Sequence, residues 1–251
     1  IQMKNLDQIV RTLKKDNFVV IKNFFSREVL SKIKSEIKKL EKIKMNRRDK
    51  HYINSNNKPF LSSMHNIHLY SKYYKLLILK SELREIVNLR YGSTSKRIFN
   101  SSLFAKPKNV GLSTKLHQDN AFFNLNNAEA LTCWVALDYS DKKNGGLFYY
   151  RGSSKLGLFN HIPEGNLGAS MTIHQNQRFK NKIKGYKKVF IDVKPGDCVI
   201  HDALVVHGSE SNKSLKNRRA FNFSIASQDK VNKTKLKKYK DKLKKFLNRK
   251  K

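Results

Sequence analysis

Between residues 97 and 226 the chain breaks into short apolar runs, at 97–105, 114–119, 131–138, 147–150, 188–193, 197–201, 203–209 and 218–226, set apart by Gly, Asn, Asp and Lys. Regularly spaced short runs closed by turn formers predict strands, and a series of them predicts an all-β sandwich or barrel. No internal repeat accompanies them. Upstream the spacing is helical. Leu6, Ile9, Val10 and Leu13 recur on one helix face, and Phe18-Val-Val-Ile21 then reads as a short buried strand. Ser26 is placed as an N-cap, with Phe25 and Leu30 at the two positions of a hydrophobic staple and Val29, Ile33, Ile37 and Leu40 as the apolar stripe behind them. Residues 46–68, Asn-rich and basic around Lys58-Pro59, show little periodicity and predict a long loop. A further helix is expected from about Ser71 to Leu89, carrying Tyr74, Leu77, Ile78, Leu83, Ile86 and Val87, with Gly92 ending it. Packing against the β region is the expected role of these helices.

The β region carries the residues with chemistry. His117-Gln118-Asp119 places an imidazole and a carboxylate two residues apart, so in an extended strand both project from one face while Gln118 points away. Ninety positions later His207 stands in the apolar run Ala203-Leu-Val-Val-His207-Gly-Ser209. Two imidazoles and one carboxylate are the set that holds Fe(II) on one face of an octahedron and leaves the opposite positions open. A His-x-Asp by itself recurs by chance and carries little weight. Arg218, eleven residues beyond His207, adds a group that an organic acid would need. If 218–226 is extended, Arg218, Ala220, Asn222 and Ser224 share one face and Arg219, Phe221, Phe223 and Ile225 the other. The aromatic face should pack on the helices and the small, polar face should line the barrel mouth, although a slip of one residue would exchange the two arginines. His201-Asp202 is a rival pair, but adjacent residues face opposite sides of a strand, so both are expected to be structural. His51, His65, His68, His161 and His174 have no carboxylate at ligand spacing; His161 and His174 bracket Glu164-Gly-Asn-Leu-Gly168, a candidate lid.

Further elements follow in order: Trp134, the turn Lys143-Asn-Gly-Gly146, Arg151-Gly-Ser-Ser-Lys-Leu-Gly157, Lys194-Pro-Gly-Asp197, His207-Gly-Ser209, Asn212 and Arg218-Arg-Ala220. From Phe18 to about Ala226 this series resembles the phytanoyl-CoA dioxygenase family of Fe(II)- and 2-oxoglutarate-dependent oxygenases. One departure is Arg151-Gly-Ser-Ser154, where the family usually reads Pro-Gly-Ser-His; it touches the substrate side and not the metal set. The resemblance implies a mostly β fold with flanking α: a double-stranded β-helix, a cupin-like jelly roll, with N-terminal helices. The whole of 1–251 is then one oxygenase domain, with a helical part over about 1–92, the jelly-roll core over about 97–226 and a basic C-terminal helix over about 228–251. It also implies that His117, Asp119 and His207 hold Fe(II), that Arg218 grips the distal carboxylate of 2-oxoglutarate, that Ser209 hydrogen-bonds the same carboxylate, and that Trp134 packs beside it. O2 is the other cosubstrate, and succinate and carbon dioxide are the products. Related halogenating enzymes lack the carboxylate that Asp119 supplies here, so hydroxylation is expected. Lys106, Asn120, Phe122 and Asn124 are the candidate substrate contacts.

A chain of 251 residues suffices for one large domain. No apolar run approaches a membrane span and no charged-then-apolar leader opens the sequence, which predicts a soluble, cytoplasmic protein. Cys133 and Cys198 lie in apolar runs without CxxC spacing and read as buried thiols in a reducing compartment. Lys and Arg number 53 against 19 acidic residues, a net charge of +34, and residues 228–251 alone hold eleven Lys and Arg249 against Asp229 and Asp241. Such a field attracts anions. The leading expectation is a hydroxylase of a small polar or anionic metabolite. The alternatives are an oxygenase acting on nucleic acid or a protein partner, or an inactive basic binding module. Leu236, Tyr239, Leu243, Phe246 and Leu247 give the tail an amphipathic stripe that would also suit a membrane surface.

Overall fold

The computed structural model describes residues 5–92, 97–164, 170–227 and 231–248, without the side chain of Leu247. The N-terminal third supplies a helical layer. Helix α1 (Leu6–Asp16) is capped by Asn5, whose side chain accepts from the Gln8 N–H, and it buries Val10 and Leu13. After strand β1 (Phe18–Ile21), helix α2 (Arg27–Lys42) starts at Ser26, whose Oγ accepts from the Val29 N–H, and it buries Leu30, Ile33, Ile37 and Leu40. Helices α3 (Ile67–Tyr70), α4 (Lys72–Leu79) and α5 (Leu83–Tyr91) complete the layer, and Gly92, at φ 67, ends α5 in the left-handed conformation.

The remaining strands are β2 (Lys50–Ser55), β3 (Lys58–His65), β4 (Ile98–Lys106), β5 (Thr114–His117), β6 (Ala130–Ala136), β7 (Leu147–Tyr150), β8 (His161–Pro163), β9 (Met171–Ile173), β10 (Lys188–Phe190), β11 (Cys198–Asp202), β12 (His207–Ser209) and β13 (Arg218–Ala226). Short helices α6 (Asn120–Phe123) and α7 (Gln177–Ile183) interrupt them, and α8 (Lys233–Asn248) follows. Seven strands form one sheet in the order β1-β11-β6-β13-β4-β3-β2, four form a second in the order β10-β7-β12-β5, and β8 and β9 pair as a small third sheet. All pairings are antiparallel among the described strands. Two facing antiparallel sheets with this crossing order make the double-stranded β-helix that the resemblance implies.

Side-chain parity divides the core in two. Leu131, Cys133, Val135, Phe221, Phe223 and Ile225 join the helices in one buried cluster, with the Tyr74 ring 5.0 Å from that of Phe221. Full burial of each large apolar side chain contributes roughly 1.5–3 kcal/mol. Trp134, Ala136, Val199 and Ala220 point the other way and meet Leu147, Tyr149, Val205 and Ile191 between the sheets. Strand β13 runs from Arg218 to Ala226, the range read from the sequence, and its parity is the one expected.

Four local expectations are corrected. Residues 46–68 are not a long loop: most of them form the β2–β3 hairpin, turning at Asn56 and Asn57, both at positive φ (49 and 58), which extends the large sheet by two strands. An Asn-Asn turn of this hand matches strand twist; the edge position of β2, where few residues are buried, hides its alternation from the sequence. The single helix expected over 71–89 is two, separated between Leu79 and Leu83. The run 203–209 is a strand only over His207–Ser209, because Val205 N–H turns back to the Asp202 carbonyl. The run 114–119 is likewise extended only to His117, and Asp119 adopts helical dihedrals (φ −59, ψ −32) as the residue that opens α6. Strands β8 and β9 and helix α7 are elements the sequence reading does not contain.

Candidate metal centre

His117 ends β5 and His207 begins β12, and these two residues are directly paired across the strands. Asp119 reaches the same point from the first turn of α6, which Asn120 pins by donating its backbone N–H to the Ala203 carbonyl at 2.9 Å. Hence the two-residue spacing works here through a strand-to-helix turn and not through strand alternation. Ligating atoms of His117, Asp119 and His207 all lie within 4.8 Å of one another, and this is the one such group of three or more among the described residues. Asp119 Oδ1 is 3.6 Å from Nε2 of each histidine. His117 Nδ1 lies 2.9 Å from the Lys115 carbonyl and His207 Nδ1 lies 3.0 Å from the Val205 carbonyl. Each Nδ1–H therefore donates to backbone, which leaves the Nε2 lone pair of each ring directed inward. Burial pushes both imidazoles below their ordinary values, so they stay neutral, the form that binds a metal. Burial works in the opposite sense on Asp119, but the His201 hydrogen bond and the three surrounding imidazoles outweigh it and hold the carboxyl well below the usual carboxylate range.

Gln118 points away from this centre, as its position predicts. Its amide donates to the Gly157 and Leu204 carbonyls at 2.8 and 2.6 Å and accepts from the Phe159 N–H at 2.8 Å, while its own N–H donates to His161 Nε2 at 3.1 Å. The residue between two site residues thus anchors the segment before β8. The stretch at Gly165–Gly168, within the candidate lid, lies outside the described residues. Where the sequence departs from the resemblance, Ser153 and Ser154 open a short 3-10 turn, and Ser153 Oγ accepts from the Val206 N–H at 2.9 Å.

Behind the centre, His201 and Thr132 face it from β11 and β6. Asp119 Oδ2 accepts from Thr132 Oγ1 at 2.7 Å and from His201 Nε2 at 3.1 Å. Asp202, on the opposite face, interacts instead with Arg90 and Tyr91. The sequence reading weighs His201 only as a rival pair with Asp202 and expects it to be structural, and it does not single out Thr132; the structure sets both against Asp119. Parity offered a partial signal, since Thr132 shares its strand face with Trp134.

A second polar group sits beside the centre. Arg218 on β13 pairs with Lys106 on β4, and both are buried. Lys106 Nζ donates to Ser209 Oγ at 2.6 Å and to the Glu210 carbonyl, and Ser209 lies two residues from His207 on β12. Arg218 donates from Nη2 to the Gly145 carbonyl at 2.8 Å, and its guanidinium carbon stands 5.5 Å over the Trp134 ring. Gly145 sits at φ +88, and a Cβ there would come within 2.8 Å of Lys106 Cδ, so this close approach needs glycine. Arg218 Nε and Asn222 Oδ1 are buried without a hydrogen-bond partner among the described residues. Burial lowers the Arg218 pKa to about 10, and burial together with the Arg218 charge pushes Lys106 well below the ordinary lysine value. Two cations pressed together out of water are what an anion would relieve. Arg219 points outward and forms a two-pronged ion pair with Asp138 at 2.8 and 3.0 Å.

Of the other candidates, Phe122 stands edge-on to His117 with ring centroids 5.8 Å apart. Asn120 uses both ends of its amide on the Leu125 backbone, and Asn124, at φ 55, donates to the Phe122 carbonyl. These two amides close the turn after Asp119. Tyr239 of α8 meets Phe122 at 6.4 Å and shares a hydrogen bond with Ser170.

The family model for phytanoyl-CoA dioxygenase matches residues 13–220. The chain belongs to the phytanoyl-CoA dioxygenase family. The match begins within α1, covers the rest of the helical layer and most of the jelly roll, and ends within β13, before α8. The probable alpha-ketoglutarate-dependent hypophosphite dioxygenase of Stutzerimonas stutzeri is 26% identical over 220 residues, covering 84% of this chain and 75% of that protein. Human peroxisomal phytanoyl-CoA dioxygenase is 30% identical over 132 residues, covering 51% of this chain and 38% of the human protein. Matches to the bovine and mouse proteins likewise span only 37% and 38% of those relatives. The crystal structure of EctD from S. alaskensis with 2-oxoglutarate and 5-hydroxyectoine superposes with a TM-score of 0.72 at 17% identity, over 88% of this chain and 76% of that one. At that identity the likeness shows the shared fold, a cupin-like jelly roll, and phytanoyl-CoA dioxygenase family membership rests on the sequence match.

Proposed function

We propose that this chain is a single-domain Fe(II)- and 2-oxoglutarate-dependent dioxygenase that hydroxylates a C–H bond of a small polar or anionic metabolite and releases succinate and carbon dioxide. The observation that carries the reading is the convergence of His117 Nε2, Asp119 Oδ1 and His207 Nε2 beside a buried pair of cations. A ferrous ion fits this donor set, with two neutral imidazoles and one ionised carboxylate on one side of it. When bound, the ion supplies the oxidative chemistry with O2, and the chain supplies position and shelter. Arg218 offers its free Nε to the distal carboxylate of 2-oxoglutarate. Lys106 and Ser209 would hold the same carboxylate, and Trp134 lies under the guanidinium. Lys106 is thereby assigned to the cosubstrate and not to the substrate, because its Nζ is bonded toward Ser209 and faces Arg218.

On the substrate side Phe122 forms a wall beside His117. The net charge of +34 and the lysine-rich α8, whose Tyr239 meets Phe122, favour an acidic or polar substrate through attraction at long range. Buried, free Cys133 and Cys198 fit a reducing compartment, and the cytoplasm is proposed on that ground. Among the described residues no helix is long and apolar enough to cross a membrane.

Anaerobic titration with Fe(II) and then 2-oxoglutarate tests the reading. One ion and one 2-oxoglutarate should bind per chain with a visible metal-to-ligand charge-transfer band, and His117→Ala should abolish it. Succinate release that persists in His117→Ala would overturn the assignment.

A further inference from the structure

The two oxygens of Asp119 have different surroundings. Oδ1 faces both Nε2 atoms of the triad at 3.6 Å, whereas Oδ2 is turned to Thr132 Oγ1 at 2.7 Å and His201 Nε2 at 3.1 Å. Both of these donors are buried and themselves held. Thr132 Oγ1 lies 2.9 Å from Ser224 Oγ, and His201 Nδ1 lies 3.0 Å from the Tyr149 hydroxyl. A phenol that donates to Nδ1 fixes the proton of His201 on Nε2, so this ring can only donate to Asp119. The Tyr149 ring also stacks on His207, with centroids 5.4 Å apart and planes 18° apart, which joins two members of the triad to one framework.

We propose that His201 and Thr132 are positioning residues that occupy Oδ2, so that Asp119 offers the metal one oxygen and not two. This rests on the iron and 2-oxoglutarate reading above and adds to it a reason for cosubstrate affinity. An octahedral ion has six positions, and three protein donors leave three. A carboxylate free to turn about its Cβ–Cγ bond can chelate, which removes one of those positions and sets Asp119 against a chelating keto acid. Hydrogen bonds from side chains outside the ligand set prevent the turn at its origin.

The test compares the full chain with Thr132→Val, His201→Phe and His201→Gln; valine keeps the shape of threonine, and glutamine keeps an N–H donor. Mn(II) binding by calorimetry, the electron paramagnetic resonance spectrum of bound Mn(II), and 2-oxoglutarate affinity of the anaerobic Fe(II) protein are read for each. The expected result is Mn(II) binding retained in every variant, an altered Mn(II) spectrum in Thr132→Val and His201→Phe, and 2-oxoglutarate affinity weakened about tenfold or more in those two, with His201→Gln close to the parent. Parent-like spectra and 2-oxoglutarate affinity in Thr132→Val and His201→Phe would overturn the proposal while leaving the metal site standing. Failure of the parent chain to bind Mn(II) or Fe(II) would instead remove the underlying reading. Should His201→Phe lose cooperative unfolding, the near-isosteric Thr132→Val decides alone.

Discussion

Neighbouring arginines on β13 show how much one position matters. Arg218 is buried between Gly145 and Trp134, while Arg219 reaches the surface and pairs with Asp138. Replacing Arg218 with methionine keeps volume and removes the charge, and should weaken 2-oxoglutarate binding between about tenfold and about 100-fold, the range for a hydrogen bond to a charged group. Arg219→Met should change that affinity by less than about twofold and cost at most about 1 kcal/mol in stability, because its ion pair is partly exposed. Anaerobic titration of both variants checks this; equal losses would mean that the guanidinium facing inward is not the anchor. Sequence alternation distinguishes these two residues because a strand has a period of two. It does not reach His201 or Thr132, whose importance comes only from their placement opposite Asp119, 82 and 13 residues away along the chain.

At the scale of elements, the boldest departure from sequence-based expectation is the β2–β3 hairpin. Edge strands are half wet, so their apolar pattern is weak, and Pro59 beside a pair of asparagines resembles loop composition. Helix α8 was expected from its stripe, and the structure turns Tyr239 onto Phe122 and Ser170, while Lys242 donates to Asn160 and to the His161 carbonyl. Leu247, the last residue of that stripe, has a side chain outside those described. Leu236, Tyr239, Leu243 and Phe246 are half-buried in this arrangement. A chain ending at Asn232 should melt lower by about 4–8 °C, the loss of about 2 kcal/mol from half-buried Leu236, Tyr239, Leu243 and Phe246. Fe(II) and 2-oxoglutarate affinity should stay within about twofold. An unchanged melting temperature would show that α8 is not docked, and a collapse of 2-oxoglutarate binding would place α8 in the cosubstrate site.

For the molecule as a whole, burial of histidines should set the acid limb of stability. His65, between Ser63 and Ser102, and His161, bonded to Gln118 and Phe159, are both pushed down by burial to about 4. In the unfolded chain a histidine takes up its proton below about pH 6.5, whereas these two remain neutral in the fold until about 4. Their contribution is therefore fully present above pH 6.5 and is lost as pH falls toward 4, on the order of 3 kcal/mol for each. Urea midpoints measured from pH 8 to pH 5 should hold steady and then decline below about 6.5; a flat profile would refute the assignment. The candidate ligand types, the all-β character of the core and the inward arginine were legible in the amino-acid order, because strand period and donor chemistry are local properties, whereas the jelly-roll class came from the resemblance to a family. Lys106 beside Arg218, the grip on Asp119 Oδ2 and the helical turn that delivers Asp119 were not, since each depends on which distant strands lie side by side, and that register is settled by the packing of two sheets and a helical layer acting together.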